Sequence, residues 1–146
     1  MKFLLGILLT YSLQAAGFWT LTGLEKANIY VQNGLSTIKP QTIEKIKKKM
    51  RETLHLEGIK IGEQDSATLM IGLEEMSLED TYFIYVKIGV GEEVQTFRAD
   101  KSATFAMTYG ANDFIEVEAD ELDAEVLESV DFLLSQFSEQ YEDDKE

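Results

Sequence analysis

The chain has no cysteine, one proline and one histidine, and its bases are scarce beside its acids. Without cysteine there is no disulfide, no zinc–thiolate centre, no thiol redox chemistry and no cysteine nucleophile. Lipid attachment at an N-terminal cysteine is excluded with them. The lone His55 falls at the end of an expected helix, where it suits the helix dipole. No second histidine supports a triad or a zinc site. No G-x-S-x-G elbow and no phosphate-cradling loop occurs. The single Pro40 leaves no room for a proline-rich linker. Thirteen Lys and Arg against 27 Asp and Glu give a net charge of −14. Such a chain repels nucleic acid and anionic membrane surfaces, and attracts a basic partner or a basic part of itself.

The charge is unevenly placed. Asp113 to Glu146 holds fourteen acids and one base, whereas Gly17 to Asn112 holds thirteen acids and eleven bases. At 146 residues the chain suits one domain with an adequate core and no staples.

Residues 1–17 read as a secretory signal, cleaved near Ala16 to Phe18. Met1-Lys2 is a short positive start, Phe3–Leu13 an apolar core, and Ala15, Ala16 and Gly17 supply small residues. That apolar run is about half the roughly 20 residues a spanning helix needs. An uncleaved anchor continuing through Phe18 and Trp19 is the alternative, although Gln14 interrupts it. The expected location is periplasmic or secreted, with no membrane span after cleavage.

From residue 18 to 141 the periodicities predict a single α+β domain. Leu24–Gln32 alternates as a strand and Asn33-Gly34 ends it. A helix over about 40–56 starts at Pro40, stops at Gly58 and carries the stripe Ile43, Ile46, Met50, Leu54. Strands are expected at Ile59–Gly62, Ala67–Glu74 and Thr81–Val90. Gly91-Glu92-Glu93 reads as a turn, Val94–Arg98 as further strand, and Ser102–Tyr109 as a strand with Phe105, Met107 and Tyr109 on one face. Gly110–Asp113 reads as a turn or bulge before pairing resumes over Phe114–Glu118. The last helix spans about 121–141, and 142–146 is expected as a disordered acidic tail. Short turns argue for a mainly antiparallel sheet of about four to six strands, in a two-layer sandwich with both helices on one face. This element order and the export signal loosely resemble the small envelope-assembly lipoproteins of the lipopolysaccharide-assembly group. The resemblance shares no motif and lacks the attachment cysteine, so it transfers no residue role.

Nine of the residues from Asp113 to Asp131 are acidic. Most fit a solvated face: Asp113 in a turn, Glu116 and Glu118 on one side of a strand, Asp120 as a helix N-cap. Glu125, Glu128 and Asp131 take the polar side of an amphipathic helix. A calcium site from Glu116, Glu118 and Asp120 at the strand–helix junction is one alternative. Glu116 with Glu118 is also the one carboxylate pair that suggests a weak hydrolase, here a glycosidase. A third alternative is docking of a basic partner on Glu125, Glu128 and Asp131 around Phe132. The basic run Lys45–Arg51 reads as a solvated helix face lying beside the acidic last helix.

On the sheet, if Tyr82, Ile84 and Val86 face the helices, then Phe83 and Tyr85 face outward. Tyr30, Met70, Thr104 and Thr108 are expected beside them. An open face rich in aromatics and threonine is either a mildly apolar solvated surface or an interface, in the second case for a protein, an envelope component, an acyl ligand or a second copy. The sequence thus reads as a non-catalytic, cofactor-free exported binding or envelope-assembly factor.

Overall fold

The computed structural model describes residues 19–62 and 65–146. The expected signal segment lies outside them. The chain folds as β1 (Lys26–Gly34), α1 (Pro40–Leu56), β2 (Lys60–Ile61), β3 (Ala67–Leu78), β4 (Thr81–Gln95), β5 (Ala103–Glu118) and α2 (Leu122–Lys145). This is an α+β fold with one five-stranded sheet in the order β2-β1-β3-β4-β5. The long antiparallel pairs β3/β4 and β4/β5 carry most of the pairing. β1 instead lies parallel to β3 and to β2. Parallel neighbours need a long crossover, and α1 supplies it.

One hydrophobic cluster holds the fold together. It takes Ile46, Met50 and Leu54 from α1 and Val126, Val130, Leu133 and Phe137 from α2. The sheet contributes Leu69, Ile71, Leu73, Ile84, Val86, Ile88 and Val90. The period of 3.6 on the helices and of 2 on the strands places these residues on facing sides. Asp113 is not in a turn. It sits in β5 opposite Val86 and accepts a 2.8 Å hydrogen bond from the buried Ser129 hydroxyl of α2. The basic α1 does lie beside the acidic α2, with Lys49 Nζ 2.7 Å from Asp131.

Three boundaries differ from expectation for physical reasons. Gly91-Glu92-Glu93 does not turn, because β4 runs through it to Gln95 against Ala103–Met107 of β5. Asp120 does not cap the last helix: the Glu121 N–H bonds the Glu118 carbonyl, and Glu121 takes the N-cap position without a side-chain cap. The tail does not fray at residue 142. α2 continues to Lys145, held by Asp144, which accepts the Leu21 N–H at 2.7 Å, and by Lys145 over the Tyr141 ring.

The β3–β4 hairpin turns at Glu79-Asp80, with Glu79 at φ 56°. A left-handed backbone costs a side-chain-bearing residue roughly 1 kcal/mol, and hairpin turns favour glycine there. Glu79→Gly is therefore expected to raise unfolding stability in urea titration by no more than about 0.5 kcal/mol, since the glycine relieves that strain but also frees the unfolded chain by about 0.4–1 kcal/mol. A loss of stability would mean that the glutamate side chain holds the turn.

Candidate functional site: the open face of the sheet

Cross-strand register builds the face turned away from the core in rows. Tyr30, Met70, Gly89 and Gly110 form one row; Gln32, Gly72, Lys87 and Asn112 form the next. Glu74, Tyr85 and Phe114 follow, then Met76, Phe83 and Glu116. Large side chains thus alternate with glycines that have none. The result is a depression of about 520 Å³ walled by Trp19, Tyr30, Met70, Tyr85 and Met107. That is within the size range of ligand pockets.

The walls are held by neighbours. Phe83 stacks on Phe114 with ring centroids 6.1 Å apart, and Tyr85 leans on the same ring at 6.4 Å. Asn112 donates a 3.0 Å hydrogen bond to the Tyr85 hydroxyl. Lys87 lies 5.2 Å over the Tyr85 ring and pairs with Glu74. A Cβ at Gly89 would overlap the Met107 methyl, and one at Gly91 would overlap the Phe105 ring, so these side chains cover the glycines. Trp19 covers Gly110, where a Cβ would meet its ring at 3.3 Å.

Sequence reasoning placed Tyr30, Phe83 and Tyr85 on this face, and they are there: Tyr30 is 54% exposed, Phe83 and Tyr85 half-buried. It missed Trp19, Phe105, Met107 and Phe114. For Phe105 and Met107 the cause is a bulge at Thr108, opposite the Val90/Gly91 register shift. It flips the parity of β5, so Tyr109 goes into the core while Phe105 (61% exposed) and Met107 stay on the open side. Thr104 and Thr108 therefore do not join the open face: Thr104 pairs with Val94, and the Thr108 hydroxyl bonds the Val90 carbonyl at 3.4 Å. Phe114, 62% exposed, continues the face beyond Gly110.

The other candidates do not converge. Glu116 and Glu118 lie on the open face and Asp120 in the following turn. Among the described residues no three His, Asp or Glu side chains come together as a metal-binding group. Phe132 is half-exposed on α2. Of the acids around it, Asp131 is spent on Lys49, which leaves Glu125 and Glu128.

Groups titrating away from their ordinary range lie on the helical side. Burial pushes the Glu57 carboxyl up, and a hydrogen bond shared with Glu142 adds to this. Glu142 is lowered by the same bond and by Lys145. Burial also raises the Tyr109 phenol, whose ring meets Phe137 edge-on at 5.6 Å.

Fold and site define a class: an α+β domain with one mainly antiparallel five-stranded sheet and two helices, whose sheet face away from the core is, among the described residues, aromatic and glycine-floored. No protein-family model matches the chain, and no curated protein matches it. No helix among the described residues is long and apolar enough to cross a membrane.

Proposed function

We propose that this protein is a non-catalytic binding or assembly factor, exported to the cell envelope, that holds an apolar segment of another protein on the open sheet face. The supporting observation is the depression of about 520 Å³ between Trp19, Tyr30 and Tyr85. Contiguous exposed apolar surface rimmed by polar residues is a mark of interaction sites and ligand grooves. Aromatic anchors beside a pocket are the residues that dominate binding energy.

The test is crosslinking and pull-down of the mature chain from its own envelope, in parallel with Tyr85→Glu, Phe83→Glu and a Glu125→Gln/Glu128→Gln pair. Both face variants should lose the captured partner by about tenfold or more, as truncation of a hot-spot residue does. The α2 pair should retain it. Capture that survives both face variants and fails with the α2 pair would move the site to the acidic helix.

A further inference from the structure

β5 is an edge strand of unusual exposure. It spans 16 residues and pairs with β4 along one side. On its other side, among the described residues, one backbone hydrogen bond reaches it: Thr20 N–H to the Thr108 carbonyl, 2.7 Å. Trp19 and Thr20 therefore cross the edge near Thr108–Gly110. Beyond that crossing, Gly110 to Glu118 leaves roughly 30 Å of strand at about 3.3 Å per residue.

Edges of this length are usually blunted by charged side chains, above all lysine, by proline, by bulges or by shortness. β5 relies on the bulge at Thr108 and on acids, which repel acidic strands and still admit basic ones. β5 contains no Lys, Arg, His or Pro. It carries Phe105, Met107 and Phe114 on the open face, and beside Phe114 the acids Glu116 and Glu118. The opposite margin offers less. β2 pairs with the start of β1, and β1 presents Asn28, Tyr30 and Gln32 to the open side.

We infer that the Gly110–Glu118 edge of β5 takes up an extended, lysine- or arginine-bearing strand of another protein, with alternate apolar side chains of that strand entering the Trp19–Tyr30–Tyr85 depression. This rests on the open face being the binding surface and adds how the partner is held. In strand addition, main-chain hydrogen bonds supply affinity and pockets for every second side chain supply specificity. Both elements are present side by side. Charge selects the partner. The chain is at −14 and the edge carries acids alone, so a second copy brings acid against acid, whereas a basic strand meets Glu116 and Glu118 with opposite charge.

Trp19 is the only tryptophan and lines the depression, so its emission reports occupancy. The probe is a nine-residue peptide with threonine at the even positions and, at the odd positions that share the open face with Glu116 and Glu118, leucine over one half and lysine over the other, made in both orders. Its controls are a version N-methylated at alternate residues and one with glutamate for lysine. Saturable binding with a blue shift of Trp19 emission and new amide protection along β5 is expected. N-methylation, glutamate replacement and Tyr85→Ala should each weaken binding about tenfold or more. Glu116→Gln with Glu118→Gln should weaken it several-fold, and Glu125→Gln with Glu128→Gln should leave it unchanged. A urea titration of Tyr85→Ala confirms that the variant is folded.

Equal binding of the N-methylated peptide would overturn strand addition while leaving the open-face function standing. Binding indifferent to Tyr85→Ala but lost in the Glu125/Glu128 variant would overturn both. Sedimentation as a dimer, with β5 amides already protected in the free protein, would assign the edge to a second copy and overturn the proposed partner.

Discussion

Replacing Phe137 by alanine is expected to lower the unfolding free energy by about 3–5 kcal/mol, the range for emptying a fully buried aromatic site. Phe137 has no exposed surface and sits where α2 meets the sheet. Its ring contacts Tyr109 edge-on at 5.6 Å and lies parallel to Tyr141 at 6.3 Å. Neither neighbour is free to collapse into the space. Tyr109 is fixed by β5 pairing with Val90, and Tyr141 by its hydroxyl, which donates a 3.0 Å hydrogen bond to the Leu24 carbonyl. The cavity therefore stays open, and its cost adds to the lost transfer energy. Phe132, five positions earlier on the same helix and 49% exposed, gives the control: Phe132→Ala should change stability by no more than about 0.5 kcal/mol. Urea titration at constant m-value measures both. A Phe137→Ala loss under about 1 kcal/mol would mean that the α2–sheet junction repacks and that the aromatic cluster is not the keystone of the core.

Burial by helix periodicity and by strand alternation was legible in the sequence because both follow from local geometry. The helix over 40–56 and the inward series Tyr82 to Val90 needed no knowledge of partners. What was illegible depended on pairing. The parity of Phe105, Met107 and Tyr109 changes at Thr108, and nothing in the sequence around Thr108 announces a bulge. Asp113 looked like a turn residue because its neighbours Gly110 and Asn112 favour turns. Its true setting depends on Ser129, sixteen residues later. Gly91 and Gly110 read as chain breakers, yet the sheet uses them as places where Phe105 and Trp19 lie down. Tyr30, Phe83 and Tyr85 were found as candidates, but the depression they border comes from glycines on three adjacent strands, a non-local fact. The parallel placement of β1 was likewise hidden, since α1 as a crossover is recognised only when the two strands it joins are seen side by side.

Asp123→Ala should cost about 2–3 kcal/mol at neutral pH, although the residue reads as one more acid on a helix start. Lys39, the N-cap of α1, makes no side-chain cap. Asp123 reaches across from α2 instead, accepting the Lys39 N–H at 3.0 Å and the Thr42 hydroxyl at 2.5 Å. Removing it deletes two charge-assisted hydrogen bonds and strands the buried Thr42 hydroxyl, a group whose desolvation alone costs about 1–3 kcal/mol. Partial burial pushes the Asp123 carboxyl up, but the bonds from Thr42 and Lys39, with the Lys39 charge, outweigh it and hold the group below its ordinary value of 3.8. A carboxyl depressed on folding adds stability that is complete above the unfolded pKa and vanishes as pH falls through the folded one. Asp123→Asn keeps an acceptor without the charge, so its deficit should be about half that of alanine at pH 7. The gap between Asn and wild type should narrow as pH drops below about 3.8. Other carboxylates titrate equally in both proteins and cancel in the comparison. A deficit independent of pH from 7 to 2 would show that geometry, and not the Asp123 charge, ties the two helix starts together.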